Sequence, residues 1–328
     1  MHFLKIYTVT TINDAFFEDS WTLRVGDIDC NFIANTDFST LDNIFPENIQ
    51  KILGSLNYKN IRNNGVILAN FNMPIHSQSH AEQLLSEACG VVSGYFANFF
   101  SGSWFLQDNS VHVGKTISFL NEGILISSER SDNFSMSQGK NKCDIYRKSD
   151  FEDCLKIMDK FLGNKNEDNL DDEHISLNHR KYILDPSNKN YWNYDRLDKA
   201  LRFLYDARGT SFIPSKILNY MSILEVLFVT EKESINYQLK NNVTNFFKIN
   251  KLEDVSKGKI SNAYELRSSY VHGSMSLTRG DLEKEVKIVD DIIRKILWCI
   301  INNKDLIELF KDRDTSKLNE YFKSLKES

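Results

Sequence analysis

Short apolar segments separated by turn-forming residues dominate the first 145 residues of the chain. Residues 1–9 fall into two alternating sets of side chains, one of them Phe3, Lys5, Tyr7 and Val9, as the two faces of a strand require. The same criteria predict further strands at 21–25, 31–34, 66–71, 104–106, 110–113, 116–119 and 123–127. The last four follow one another closely, which favours an antiparallel meander.

One helix is predicted among these strands. Ser79 and Glu82 form a capping box, in which the serine side chain binds the first turn and the glutamate binds back to the cap. The apolar-periodic run that follows extends to about Phe100, and Gly102 and Ser103 end it. Residues 1–145 are therefore predicted to be an α+β domain, and the pattern does not identify its fold.

The segment 146–190 is predicted to connect two domains. Residues 151–162 have helical periodicity, whereas 163–174 are polar and acidic and are expected to form a solvated loop. Residues 171–174, with the sequence Asp-Asp-Glu-His, carry groups that bind cations. Adjacent residues in a flexible run rarely converge on one ion, so no cation site is predicted there.

From about residue 191 the pattern changes to a period of 3.6 residues, which is typical of amphipathic helices. Leucines at 197, 201 and 204 mark the first helix, and Pro214 stands at the early position of the second, where proline is tolerated. Further helices are predicted for 235–247, for a segment that ends near Gly273, for 281–302 and for 315–325. Short polar loops join them, so 191–328 is predicted to be an all-α bundle.

The helix at 281–302 is apolar on more than one side. Val286, Val289 and Ile293 form one stripe, and Ile288 and Ile292 lie outside it. A helix of this kind is either buried widely within its own domain or contacts a partner. Both alternatives are open at the level of the sequence.

Length and composition agree with two globular domains. The chain has 328 residues and a formal net charge of −5. This charge argues against a protein that coats nucleic acid without specificity, and an RNA-directed activity would need a local basic cleft. The five cysteines are scattered without CxxC spacing, which indicates reduced thiols in the cytoplasm. No signal peptide, transit peptide or membrane span is predicted.

Three histidines in the first domain were considered as metal ligands. His76 and His80 have the spacing of two ligands on one helix face, but a helix that begins at Ser79 would leave His76 outside it. Two exposed histidines are therefore the favoured interpretation. His112 lies within a predicted strand and is expected to be structural. The sequence thus predicts no metal site and no cofactor.

The residues that indicate a chemistry lie at the end of the fourth bundle helix. Gly273 stands where a helix stop is expected, because only glycine takes the left-handed C′ conformation without steric cost. Arg267 and His272 precede it, and Ser268 lies four residues before His272, beneath it on the helix. An arginine fork for phosphate oxygens and a histidine that exchanges protons near neutral pH suit phosphate chemistry. On spacing alone, an Arg267 paired with a surface carboxylate and a His272 that only caps the helix is favoured.

The segment Tyr-Glu-Leu-Arg-Ser-Ser-Tyr-Val-His-Gly at 264–273 resembles the Arg-x4–6-His signature of HEPN domains, specifically the Apea-like group. The upstream helix at 215–228, with its Leu-Glu-Val-Leu-Phe ending, resembles the second helix of the same family. The resemblance extends from about Trp192 to Leu309. It departs at 238–242, where many relatives carry arginines, and at Ser268, where many nuclease relatives carry Asn, Asp or His.

This resemblance implies a metal-independent endoribonuclease that cleaves RNA by 2′-OH attack, with Arg267 and His272 as catalytic residues. It also implies a homodimer through the C-terminal bundle, tRNA as one substrate and a toxin-like role in anti-phage defence by abortive infection. The first domain would then sense a phage-derived trigger or restrain the nuclease. The alternative is a HEPN bundle that binds RNA or a protein without cutting, which Ser268 favours.

Two further residues are candidates for a supporting role. Glu225 on the upstream helix either orients Arg267 across the bundle or is a solvated surface residue, and the sequence does not separate these. Tyr270 is able to stack on a base, but its place in the apolar stripe with Ala263 and Leu266 favours packing in the core.

Overall fold

The computed structural model describes residues 2–25, 28–121, 123–129, 133–163, 195–253, 255–274, 278–312 and 314–327. These residues divide into two compact units. The first comprises residues up to 133 together with 141–162, and the second comprises 134–140 and the residues from 195 onward. The first unit is α+β and the second is mostly helical, so the predicted fold class is confirmed.

The first unit is built on a six-stranded antiparallel sheet with the strand order β3-β4-β5-β1-β6-β7. Two short strands, β2 and β8, pair in parallel beside it. In chain order the strands are β1 (His2–Asn13), β2 (Ala15–Phe17), β3 (Trp21–Val25), β4 (Ile28–Ile33), β5 (Gly65–Ile75), β6 (His112–Phe119), β7 (Leu125–Glu129) and β8 (Asp144–Tyr146).

Helices cover both faces of this sheet. On β1, Val9 packs into a cluster with α1, α2 and α3, whereas Ile6 packs with α4, because successive strand residues point to opposite faces. The helices of the unit are α1 (Phe38–Ile44), α2 (Glu47–Leu53), α3 (Ser55–Arg62), α4 (Gln78–Ser103) and α5 (Lys148–Gly163). Phe151 of α5 packs against Phe32 and Phe99, so this helix is part of the first unit.

Three local predictions for this unit were wrong. The N-cap of α4 is Ser77, whose side chain accepts from the His80 amide, and not Ser79. Residues 104–106 form a turn, with Trp104 fully buried, because the helix before them runs on to Ser103. The two strands predicted at 110–113 and 116–119 are one strand, β6.

The second unit is a bundle of helices with short connections. They are α6 (Arg196–Gly209), α7 (Ile213–Phe228), α8 (Ile235–Ile249), α9 (Lys257–Val271), α10 (Arg279–Ile301), α11 (Lys304–Lys311) and α12 (Thr315–Glu327). The inward side chains of α7, among them Ile217, Leu224 and Phe228, are fully buried. Thr278 caps α10 by accepting from the Asp281 amide, as its sequence indicates.

The apolar character of α10 on several sides is explained by burial. Leu282, Ile292 and Leu297 are buried in addition to the main stripe of the helix. The helix packs against α7, α9 and α11. Of the two alternatives left open by the sequence, wide burial within the chain is therefore the one observed.

Seven residues from the middle of the chain complete the bundle. The segment 134–140, between β7 and β8, belongs to the second unit, where the Ser135 amide donates to the Arg208 carbonyl at 2.9 Å. Its turn closes with the Gly139 amide on the Met136 carbonyl at 2.8 Å, and Gly139 has φ +68°. A Cβ on Gly139 would lie 2.1 Å from the Ser211 carbonyl oxygen, so only glycine fits this position.

The predicted solvated loop, its Asp-Asp-Glu-His run at 171–174 and Trp192 at the start of the HEPN resemblance lie outside the described residues. Within the described residues, no helix has both the length and the apolar composition that crossing a bilayer requires.

Candidate functional site

The candidate site is built on the C-terminal end of α9. The helix ends in a Schellman motif: the Gly273 amide donates to the Tyr270 carbonyl at 3.2 Å and the Ser274 amide donates to the Ser269 carbonyl at 2.9 Å. Gly273 has φ +70°, the left-handed conformation expected from its position in the sequence. The motif fixes the backbone of the last turn and therefore the place of His272.

His272 is the C-cap residue of α9, and its side chain is exposed. Its amide donates to the Ser268 carbonyl at 3.0 Å, so Ser268 does lie one turn beneath it. The contact that joins the two residues is a backbone hydrogen bond. This bond is part of the helix and does not involve the Ser268 hydroxyl, and the imidazole ring is exposed.

Arg267 turns toward α7, where it meets Glu225. The Arg267 Nη2 and Glu225 Oε1 atoms are 3.7 Å apart, and the two side chains are 27% and 23% exposed. Glu225 is therefore a partner of Arg267 across the bundle and not a solvated surface residue. The ion pair holds the guanidinium at the helix end that carries His272.

This ion pair leaves hydrogen-bonding capacity unused within the described residues. Arg267 Nε and Glu225 Oε1 are both buried atoms without a hydrogen-bond partner there. Burial raises the pKa of Glu225, and the neighbouring Arg267 charge lowers it only in part. Because Nε is buried, only the exposed part of the guanidinium is able to form a charge-assisted hydrogen bond with an oxyanion; the Arg267 side chain is 27% exposed.

Within one chain, the side chains of Arg267 and His272 point in different directions. Their Cβ directions differ by roughly 140° on a straight helix, and α9 continues as regular helix from Arg267 to Val271. Arg267 accordingly lies against α7, whereas His272 is exposed at the tip.

Tyr270 lies between these two residues and contacts an aromatic ring that the sequence analysis did not identify. The ring centroids of Tyr270 and Phe212 are 6.1 Å apart with an interplanar angle of 67°. Tyr270 is half-buried and not in the core, where its place in the apolar stripe had favoured it, and Phe212 is 56% exposed. Phe212 precedes α7 and belongs to no periodic stripe. A large apolar residue in the loop before Pro214 was the only sequence signal for it.

Gln238, at the start of the segment 238–242, has a structural role. Its Oε1 accepts from the Thr230 and Glu231 amides at 3.1 and 3.3 Å, and its Nε2 donates to the Glu231 and Glu233 carbonyls. The side chain thus organises the loop between α7 and α8. An arginine has no acceptor and would not replace it in this role.

The histidines of the first unit form no metal centre with their described neighbours. The rings of His76 and His80 stack at 5.1 Å, because His76 lies just before the true cap, Ser77. His76 lies outside α4 and is exposed, as expected, whereas His80 lies in the first turn of the helix and is half-buried. His112 is structural: its Nδ1 lies 2.9 Å from the Ser110 carbonyl and its Nε2 lies 3.1 Å from Asn13. Among the described residues no group of three or more His, Cys, Asp or Glu side chains is placed to hold a metal ion.

Comparisons with protein-family models, with curated proteins and with solved structures found no match for this chain. The function of this chain is therefore inferred from the residues at the end of α9 and from their contacts.

Proposed function

We propose that this chain is a metal-independent endoribonuclease of HEPN type, in which Arg267 and His272 carry the reaction. The observation that supports it is the arrangement at the end of α9. A guanidinium is held by Glu225 at 3.7 Å, and an exposed histidine caps the same helix. Both groups are placed by backbone geometry and not by loops, as a preorganised site requires.

The proposed reaction uses side chains only. His272 removes the proton from the ribose 2′-OH, whose oxygen attacks the adjacent phosphorus, or it protonates the departing 5′-oxygen. Arg267 stabilises the negative charge that develops on the phosphorane. The P–O5′ bond breaks, and the products end in a 2′,3′-cyclic phosphate and a 5′-OH. DNA lacks the 2′-OH nucleophile and is expected to resist cleavage.

The active form in this proposal is a homodimer through the C-terminal bundle. A twofold axis would bring two Arg267 and two His272 side chains into one cleft, which compensates for their divergence on a single helix. It would also concentrate positive charge in a chain whose formal net charge is −5. Because most apolar side chains of α10 are buried within the chain, we propose the end of α9, and not α10, as the contact between copies.

The HEPN resemblance extends the proposal to the biological role. tRNA is the first RNA to test, and a toxin-like function in anti-phage defence is the setting we propose. The first unit would restrain the nuclease until it binds a phage-derived trigger. A cytoplasmic location follows from this role.

The direct test is cleavage of total RNA in the presence of EDTA. Wild-type protein is expected to cut and to leave cyclic-phosphate ends, whereas His272→Ala and Arg267→Ala lose about 100-fold or more of the rate. His80→Ala and Arg279→Ala are the matched controls, because they remove a histidine of the first unit and an exposed arginine of α10. An active His272→Ala protein contradicts the catalytic assignment. Activity that is lost in EDTA and restored by Mg²⁺ contradicts metal independence.

A non-catalytic binding module is the second candidate. Two observations favour it: Arg267 is engaged by Glu225, and Ser268 offers no acid or base beside His272. In this case the wild type binds RNA or a protein and no preparation cuts RNA. Equal binding by wild type and His272→Ala, without cleavage by either, is its signature.

A further inference from the structure

We propose that Phe212 and Tyr270 form a stacking platform for an unpaired base of the RNA substrate. The inference rests on the proposed function for the class of ligand and adds what positions that ligand. It assigns a binding role to Phe212. It also predicts that the site prefers single-stranded RNA to a duplex.

The first support is the exposure of the Phe212 ring. Phenylalanine side chains are usually buried, and leaving 56% of one in solvent has an unfavourable free energy. Tyr270 contacts it at 67°, an edge-to-face geometry in which the edge of one ring meets at most one face of the other. The pair therefore presents open aromatic surface to which a flat base is complementary.

The second support is that the backbone beneath Phe212 is fixed. Its amide donates to the Thr210 Oγ1 at 3.2 Å, and its carbonyl accepts from the Lys216 amide at 3.1 Å. Ser135 Oγ donates to the Thr210 carbonyl at 2.8 Å, and Gly139 lies against the Ser211 carbonyl. A rigid aromatic loses little conformational entropy when a base stacks on it.

The third support is the position of the pair relative to the proposed reacting groups. Tyr270 is three residues after Arg267, one turn along the same helix, and two residues before His272. The Arg267 side chain is 27% exposed, and the positive charge of its guanidinium complements a phosphate oxygen. In single-stranded RNA, stacked bases alternate with phosphates, and the aromatic rings and the Arg267 cation are complementary to these two kinds of group. Stacking does not depend on base identity. A base in an A-form duplex is already stacked on both faces, so only an unpaired base is available.

Binding is measured on the full chain in the His272→Ala background, so that cleavage does not interfere. The probe is a fluorescent single-stranded RNA oligonucleotide, compared with the same sequence annealed to its complement. Phe212→Ala and Phe212→Leu are expected to raise the Kd for the single strand by about 5- to 100-fold, the range for loss of one stacked base. Phe212→Trp is expected to keep the wild-type Kd because it restores an aromatic face. The dependence of Kd on salt should stay unchanged, since no phosphate contact is removed.

The matched control is Tyr237→Ala on α8, because Tyr237 is an aromatic residue of equal exposure, 57%, on another helix. Its Kd is expected to equal that of the parent. Equal losses for Tyr237→Ala and Phe212→Ala, or wild-type binding by Phe212→Leu, would overturn the platform. So would equal affinity of the parent for the single strand and the duplex. A lower oligomeric mass of Phe212→Ala by light scattering would instead assign the patch to a contact between copies.

Failure of this inference and failure of the proposed function are separable. If wild type cuts RNA and Phe212→Ala cuts with unchanged KM, the platform is wrong and the nuclease stands. If the chain binds single strands through Phe212 but no preparation cuts, the nuclease is wrong and the platform stands. A wild type that neither binds nor cuts RNA overturns both.

Discussion

Glu225 is the residue whose role the structure defines beyond the sequence, because its partner Arg267 lies on another helix. The amide of Glu225→Gln keeps the volume of the carboxylate and removes the charge that orients the guanidinium. We expect the cleavage rate to fall by about 10- to 100-fold, since small displacements of a catalytic group cost this much. The free energy of unfolding should change by less than about 1 kcal/mol, because the pair is partly solvated. Rates and thermal unfolding are compared with Asp206→Asn, which removes the exposed partner of Arg202 on α6. Loss of stability without loss of rate would contradict a positioning role.

The raised pKa of Glu225 leads to a prediction about how stability depends on pH. Burial raises the pKa of this carboxyl above its ordinary value of 4.5, so the folded chain holds the proton more tightly than the unfolded chain. The stability contributed by protonated Glu225 is present below the ordinary pKa and is lost as pH rises through the raised one. The stability of wild type relative to Glu225→Gln should therefore fall as pH increases from about 4 upward.

For Glu283, in the same unit, the dependence of stability on pH is expected to have the opposite sign. The Lys140 hydrogen bond lowers the pKa of Glu283, so the stability of wild type relative to Glu283→Gln should fall as pH decreases. Denaturant unfolding at a series of pH values measures both differences. If the stability difference between wild type and variant changed with pH in the same direction for both variants, the assignment for Glu225 would be contradicted.

The individual residues differ in how far the sequence determined them. Gly273 was identified because a left-handed helix stop has a strong and local preference for glycine. Ser77 was missed because two serines stand at the start of this helix, and Glu82, three residues after Ser79, completes a capping-box pattern only for Ser79. Phe212 was missed because exposure depends on the tertiary structure and has no periodic signal.

The Schellman end of α9 gives a prediction at the level of a single element. A Cβ on Gly273 meets nothing within 4 Å, so the cost of Gly273→Ala comes from the left-handed backbone alone, about 1–2 kcal/mol. Because the strain is relieved by moving the last turn, cleavage should fall as well. Gly54→Ala is the control for activity: Gly54 also has a positive φ, +76°, and nothing within 4 Å of a Cβ, but it lies in the first unit. Because its ψ of 155° places it in a region almost exclusive to glycine, it should lose at least as much stability and keep full activity. Equal activity of the two variants would show that the turn does not position His272.

Long periodic helices were the elements that the sequence predicted best, as in α7 and α10, because a stripe repeated over four or more turns is unambiguous. The helices α1 to α3 were missed because each spans only 7 or 8 residues, which is too short to establish a period. Gly114 misled the strand prediction. It interrupts an apolar run, but it stands within β6 where a Cβ would lie 2.7 Å from Asn13 and Thr11, beside a register shift in β1.

At the scale of the whole molecule, the dimer is the prediction with most consequence for activity. If each cleft needs groups from two copies, Arg267→Ala and His272→Ala are each inactive alone. Subunit exchange between them should recover part of the activity, because a mixed dimer has one Arg267 and one His272 in its cleft. Cleavage is measured before and after mixing.

Val271 tests the same arrangement from the surface. It is 52% exposed next to His272, so Val271→Asp should place like charges together across a twofold axis and reduce the mass measured by light scattering. Leu56→Asp in the first unit is the control because Leu56 is also highly exposed. A monomeric wild type that still cuts RNA would contradict the composite cleft.

The segment 134–140 has a consequence for how this chain can be divided. The polypeptide enters the bundle there, returns to the first unit at 141, and supplies the Ser135 carbonyl that the buried Lys216 Nζ contacts at 3.2 Å. Phe134 likewise lies under the Arg208 guanidinium at 4.2 Å. A gene fragment that starts at residue 191 would encode the helices of the bundle but would lack the segment 134–140, which contributes to its interior. The two units are consequently not interchangeable modules, and recombination that swaps the first one would have to carry these seven residues with the bundle.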